Sequence, residues 1–444
     1  MLTFTARAGL TIRASTGLEG LGEPDRMSTV FFYEASPGDR LRLLDERYLF
    51  NVATYDPVVD ESYIYTFRYQ PDQSWTKYNG DLSGGSYRRE DYVFTKPCYF
   101  RLCLKRTDGA DFHAREAERI NEIIAFSEKT RLSAPADTKP FITHERDKLL
   151  EKINKKRADG AFLFALLTDT HRTVNGTWDD TLTSLKTTHE KAKFDGIIHL
   201  GDLTDGMVTA AATRRYAGDI ILDLRSMGVP LFVTIGNHDT NYYQNNTEPL
   251  SIEEQCDLYL AHADSYTVRA PGKPWYYKDF KEFGMRFVFL HSFDYTQENR
   301  YGFVPHCLAW LKDTLENTPG DVDVLVFSHL TPLVKLQYWT DHIRGSDELV
   351  ELLEEFNSKP QSGKILAYIN GHNHADQIYR GLSFPIVSIG CAKTEFFLEY
   401  KPEGSHTPER RLSEASQELW DALLVTKKRL DFLRFGAGFD RAVL

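Results

Sequence analysis

The chain has 444 residues, with 53 Lys and Arg against 64 Asp and Glu, a formal net charge of −11, and 41% hydrophobic and 13% aromatic residues. An acidic balance disfavours a broad, sequence-independent grip on polyanions, which depends on cations neutralising phosphates, so nucleic acid is a disfavoured partner and only a local basic groove would accept it. The length exceeds what one compact core usually supports and predicts two domains, or one large domain with an extension.

Five cysteines, Cys98, Cys103, Cys256, Cys307 and Cys391, form no Cys-x-x-Cys pair. They suggest neither a disulfide framework nor a cysteine zinc site. The segment from Met1 to Arg7 lacks the apolar core of a secretory signal. No stretch approaches the roughly 18 apolar residues of a membrane span. The expectation is a soluble, cytoplasmic chain, unless an export signal has been trimmed.

In chain order, residues 1–104 hold short alternating or aromatic-rich runs at 30–33, 63–69 and 98–104, separated by turn-rich stretches at 36–39 and 81–86. Short strands at this spacing predict a β-rich accessory domain, a small sandwich or barrel. Aromatic-rich β-modules can contact glycans or other polymers, and a purely structural role is the other reading. Residues 105–160 carry two charged helical patterns, at 114–128 and 144–157, split by Ala134-Pro135-Ala136 and Lys139-Pro140. They predict a helical connector, either a solvated linker or a hinge.

From Ala161 to about residue 400 the pattern becomes strand, loop, helix. Apolar runs at 161–167, 196–200, 230–235, 285–290, 322–327, 365–369 and 384–389 predict buried strands, and 181–193, 208–227, 252–263, 307–316 and 347–357 have helical length and spacing. The alternation indicates a layered α/β fold, whose ligands belong beyond the carboxyl ends of the strands. Residues 401–444 open with a polar stretch and predict two closing strands, 419–426 and 430–435, joined by Lys427-Lys428-Arg429. These either complete an α/β sheet or return to the first module.

Five short motifs open directly behind strand-length apolar runs: Asp169-Thr170-His171, Gly201-Asp202-Leu203-Thr204-Asp205, Gly236-Asn237-His238-Asp239, Ser328-His329 and Gly371-His372-Asn373-His374. Carboxylate, imidazole and amide oxygen together suit a pair of divalent metals that clamp a phosphate and share an activated water. Asp169 and His171 leave a strand end at a spacing that lets them converge on one ion, although such a pair is also how a loop caps a helix. Asp202 has two oxygens with which to bridge neighbouring metals. Asp205 is better placed to hold a histidine than a metal.

Asn237 can lend a metal its amide oxygen and leave His238 to donate toward a departing oxygen, while a turn and helix start would use the same residues structurally. Chain order and the following Thr331-Pro332 favour His329 over His291 as a ligand. His199 sits inside an apolar run and reads as a packed sheet residue. His372 and His374, two residues apart, project to one side of an extended segment and can serve adjacent metals.

Together the motifs resemble the calcineurin-like metallophosphoesterase family, whose blocks run Asp-x-His, Gly-Asp-x-x-Asp, Gly-Asn-His-Asp or Glu, His, and Gly-His-x-His. The resemblance covers about residues 161–389 and implies a four-layer α/β/β/α sandwich. It implies that Asp169, His171 and His374 hold one metal, that Asn237, His329 and His372 hold the other, and that Asp202 bridges them. By the same resemblance His238 is the proton donor or transition-state stabiliser and Asp205 orients it.

The expected reaction is hydrolysis of a phosphodiester or phosphomonoester by a metal-bound or bridging hydroxide, with two divalent ions of manganese, iron or zinc as cofactors. A nuclease of the same fold, or a binding protein keeping the site as a scaffold, are the alternatives. Tyrosine-rich stretches near 241–244 and 275–277 predict an insertion or lid. Arg172, Trp178, Tyr242, Tyr243, His291 and Tyr295 are candidates for contact with a leaving group.

Overall fold

The computed structural model describes residues 3–13, 17–57, 76–78, 87–96, 98–127, 138–157, 160–172, 177–206, 209–242, 248–361, 363–393 and 402–443, without the side chains of 56, 57 and 76–78. The run at 63–69, the turns at 81–86 and 134–136, and Tyr243 lie outside the described residues.

Two sheets form the centre. The first runs Leu231–Val233, Gly196–His199, Phe162–Leu167, Leu419–Thr426, Arg429–Gly436 and Arg441–Val443. Its first three strands are parallel and the rest antiparallel. The closing strands therefore complete this sheet, and a third short strand follows the two expected from sequence. The second sheet runs Val268–Arg269, Tyr276–Phe280, Met285–Phe289, Asp323–Ser328, Ile365–Asn370, Ile386–Ser388 and Gln377–Tyr379.

Side-chain alternation with period two explains the layering. Phe287, Phe289, Leu325, Phe327, Ala367 and Ile369 point into a core shared with the first sheet. Their neighbours Val288, Val324, Val326 and Tyr368 point the other way, onto Leu308, Leu311, Leu349, Leu353 and Phe356 of the helices Pro305–Glu316 and Ser346–Ser358. Aromatic contacts close the gap between sheets, including Phe232 stacked on Phe289 at 5.4 Å and Phe164 against Phe287 at 5.3 Å. The helices Trp178–Ala192 and Ala210–Arg225 bring Leu185, Ala217, Ile220 and Leu224 to the first sheet. The result is the α/β/β/α sandwich.

The N-terminal region is β-rich and antiparallel. Its main sheet runs Ala6–Ala8, Met27–Thr29, Cys98–Arg106, Tyr48–Pro57 and Thr76–Tyr78, with Tyr33–Ala35 also on Cys98–Arg106. Two sequence expectations need correction here. The run Val30-Phe31-Phe32-Tyr33 is not one strand: Phe31 and Tyr33 fill the module's own core, whereas Phe32 packs on Tyr55 in a separate cluster that also includes Ala212 of the α/β region. The helical pattern at 114–128 breaks into two short helices, Ala114–Glu118 and Ile120–Ile123, and then a strand, Ile124–Ser127. There Ile124 and Phe126 alternate with more exposed neighbours and pair with Arg40–Leu43, so period two overrides the helical pattern.

The second connector pattern forms the helix Pro140–Lys156, with Ile142, Leu149 and Ile153 buried in the central core. Glu34 meets Arg215 at 2.8 Å, a further link between the N-terminal region and the helix Ala210–Arg225. Among the described residues no helix is long and apolar enough to cross a membrane. All five cysteines are buried.

Candidate metal centre

Loops from both sheets converge at one end of the sandwich. Asp169 and His171 leave Phe162–Leu167, Asp202 and Asp205 leave Gly196–His199, and Asn237 and His238 follow Leu231–Val233. From the second sheet come His329, after Asp323–Ser328, and His372 and His374, after Ile365–Asn370. Main-chain bonds tie these loops together: Asp169 N–H donates to the Gly201 carbonyl at 2.9 Å, His171 N–H to Asp202 at 3.0 Å, and Gly371 N–H to His329 at 3.1 Å.

Two triads stand side by side. In one, His374 Nε2 lies 3.2 Å from both Asp169 Oδ1 and His171 Nε2. In the other, His329 Nε2 lies 3.2 Å from Asp202 Oδ2, 3.2 Å from Asn237 Oδ1 and 3.0 Å from His372 Nδ1. Asp202 Oδ2 is also 3.7 Å from His171 Nε2. Groups able to hold a metal ion are Asp169, His171 and His374; Asp202, His329 and His372; and His171, Asp202 and His238.

The donor set fits cations. Asp169 is fully buried, and its Oδ1 has no hydrogen-bond partner although two imidazole nitrogens face it. Ligands held about 2.0–2.2 Å from one tetrahedral or octahedral ion are about 3.0–3.6 Å apart, close to the separations within each triad. An uncompensated cluster of buried lone pairs is costly, and a cation removes that cost.

Backbone geometry marks the same residues. Among the described residues eight non-glycine positions have positive φ, and five are Asp169 (53°), His171 (38°), Asp202 (52°), His372 (68°) and His374 (53°). Asp and His tolerate this region better than most residues, yet the conformation still costs energy, and such strain gathers at functional sites. The motif glycines answer close approach. At Gly201 (φ +98°) an added Cβ would stand 2.8 Å from His329 Nδ1, and at Gly371 it would press on Thr168 and on Asp169 Oδ2 at 2.7 Å.

Burial opposes charge on Asp169, Asp202 and Asp205, but the facing histidines, and Lys393 at Asp205, hold all three carboxyls below the usual range. Burial likewise opposes charge on His171 and His329, yet Asp169 and Asp205 lift the first to about 10, and Asp202 lifts the second to about 9. Burial pushes His238 down to about 4.

Asp205 meets His238 through its main chain. Its backbone carbonyl, not its carboxylate, receives His238 Nδ1–H, at 2.6 Å. The carboxylate instead sets Oδ1 3.2 Å from His171 Nδ1. His199 sits in the sheet and accepts Gly201 N–H at 3.2 Å. His291 is buried and belongs to none of the ligand groups found among the described residues. Trp178 is buried with its indole bonded to Asp223, so it packs a helix instead of meeting a leaving group.

Tyr242 stacks on Tyr295 at 5.3 Å, and Arg172 pairs with Asp219 at 3.3 Å. Sequence reasoning passed over three neighbours: Asp239, which staples two loops, Lys393, and Trp339, whose indole donates to the His372 carbonyl at 2.9 Å. Asp239 stood inside a motif and was legible; Lys393 and Trp339 carried no signal.

A family model described as calcineurin-like phosphoesterase matches residues 162–376. No curated protein sequence matches the chain. Among solved structures, a dimetal phosphatase from Danio rerio is 15% identical, covers 64% of this chain and 98% of its own, and has a TM-score of 0.49. The purple acid phosphatase PPD1 from yellow lupin (Lupinus luteus) seeds is 10% identical, with 96% and 81% covered and a TM-score of 0.42. GAP50, the anchor in the inner membrane complex of Plasmodium, is 11% identical, with 64% and 88% covered and a TM-score of 0.39. Residues 162–376, a little under half of the chain, match the calcineurin-like phosphoesterase family and support a metal-dependent phosphoesterase.

Proposed function

We propose that this protein hydrolyses a phosphodiester or phosphomonoester of modest size at a centre of two divalent cations. Asp169, His171 and His374 hold one, Asn237, His329 and His372 hold the other, and Asp202 serves both. The observation that carries this reading is the position of Asp202 Oδ2, within 3.2 Å of a nitrogen from one triad and 3.7 Å of a nitrogen from the other. When bound, the cations supply positive charge for the phosphoryl oxygens and lower the pKa of water from about 15.7 toward 7, which makes a nucleophile at neutral pH. Carboxylate, imidazole and amide donors suit manganese, iron or zinc.

The protein's own residues supply the rest. With Nδ1–H committed to the Asp205 carbonyl, His238 works through Nε2. Its burial favours the neutral ring, and an anionic phosphate alongside favours the imidazolium, so substrate binding charges the group that donates to the departing oxygen. The decisive experiment is hydrolysis of an aryl phosphodiester and an aryl phosphomonoester with added manganese, for the parent and for His238→Ala. The parent is expected to turn over at least one, and the variant to lose about 10²–10⁴-fold in kcat with its metal retained. Two equally inert, metal-loaded proteins would sink the hydrolase reading.

A further inference from the structure

Lys393 is a buried lysine that the proposed chemistry leaves without a role. It lies just beyond the strand Ile386–Ser388 and is 5% exposed. Its backbone N–H donates to the Asp169 carbonyl at 3.1 Å, the same oxygen that accepts Cys391 Sγ–H at 3.1 Å. Its Nζ reaches to 3.9 Å from Asp205 Oδ1, the oxygen that sits 3.2 Å from His171 Nδ1. The other oxygen of that carboxylate, Oδ2, is buried with no hydrogen-bond partner. One short segment thus touches Asp169 by main chain and His171 through Asp205, both members of the same triad.

We propose that Lys393 is a positioning residue for one half of the metal centre: it keeps the Asp205 carboxylate against His171, and so keeps the imidazole aimed at the cation. The inference rests on the assignment of Asp169, His171 and His374 to one ion. A ligand histidine needs an acceptor on its far nitrogen to fix the ring and raise its basicity. Asp205 Oδ1, 3.2 Å from that nitrogen, is the carboxylate oxygen placed for this part, and a buried carboxylate keeps its place only where a cation compensates it. Remove the ammonium, and the carboxylate loses one of its polar neighbours and can swing off Nδ1. The side-chain path from Lys393 through Asp205 ends on His171, a member of one triad, so the effect is expected chiefly at one ion.

The test is Mn²⁺ titration of the apoprotein by calorimetry, with a thermal melt to establish that each variant is folded. Lys393→Met should weaken one of two Mn²⁺ sites about 10–100-fold and leave the other as in the parent. Asp205→Asn should produce the same one-site loss, and the double variant should lose no more than either alone, because both act through His171. If Lys393→Met fails to fold, the one-site loss in Asp205→Asn carries the test. Two parental affinities in a folded Lys393→Met, equal weakening of both sites, or additive losses in the double variant would overturn the proposal. A parent that binds no Mn²⁺ overturns the two-cation reading as well, whereas a parent that binds two ions and a Lys393→Met variant that matches it overturn this inference alone.

Discussion

Asp202 takes the backbone N–H of His238 on Oδ1 at 2.8 Å and turns Oδ2 toward the two histidine triads. One carboxylate therefore seats the proposed acid and faces both proposed metal positions. Asp202→Ala is expected to lower bound metal below one ion per chain by elemental analysis and to cut turnover at least about 100-fold. A variant that still retained two ions would refute the shared role.

Asp239 is a staple between motif loops. Its Oδ1 accepts Leu203 N–H at 2.8 Å and Thr204 N–H at 3.1 Å, while Oδ2 accepts Gly236 N–H at 2.9 Å. Asp239→Ala leaves three buried donors unsatisfied and should cost on the order of 3 kcal/mol, read as a lower urea midpoint at unchanged slope. A midpoint within experimental error of the parent's would contradict this.

Arg434 is buried between Asp376 and Asp421, bonded to each at 2.9 Å, with Arg441 completing the group. Through Asp376, two residues beyond His374, the closing strands brace the loop that carries His374. Arg434→Met strands a buried carboxylate and should destabilise by about 3–5 kcal/mol in chemical denaturation.

Glu418 is buried beside the helix Trp178–Ala192, taking Thr181 Oγ1–H at 2.7 Å and Gln417 Nε2–H at 2.9 Å. Burial pushes its pKa up to about 7 from 4.5, outweighing the hydrogen bonds from Thr181 and Gln417. The folded state therefore binds a proton more tightly than the unfolded state. This contribution is fully present below about pH 4.5 and is lost as pH rises through 7. Glu418→Gln should match the parent near pH 4 and exceed it by up to about 3 kcal/mol at pH 8, measured by urea unfolding at both pH values. Equal stability at pH 8 would refute the shift.

Much of this architecture was legible in the residues. Strands such as 285–290 and 365–369 were visible because apolar runs of strand length sat between turns, and the motifs followed them because ligands gather at strand ends. The run at 30–33 misled because consecutive aromatics buried on opposite sides look the same as a strand buried on both faces. The pattern at 114–128 misled because its charged first half is helical, while Ile124 and Phe126 answer to a distant partner at 40–43. Lys393 was invisible for a similar reason: one lysine after one apolar run gains meaning only when tertiary folding sets it against Asp205.

The left-handed backbone at Asp169, His171, Asp202, His372 and His374 changes how side-chain deletion there should be interpreted. Elsewhere alanine is the neutral truncation and glycine the penalised one; at these five places the order inverts, since only glycine escapes the steric penalty. Any loss in an alanine variant blends missing coordination with a conformational tax, and a matched glycine variant separates the two. In the metal-free protein the glycine variants at His171, His372 and His374 should be more stable than the matched alanine variants, because the framework that presents these rings is held slightly out of its own preferred shape.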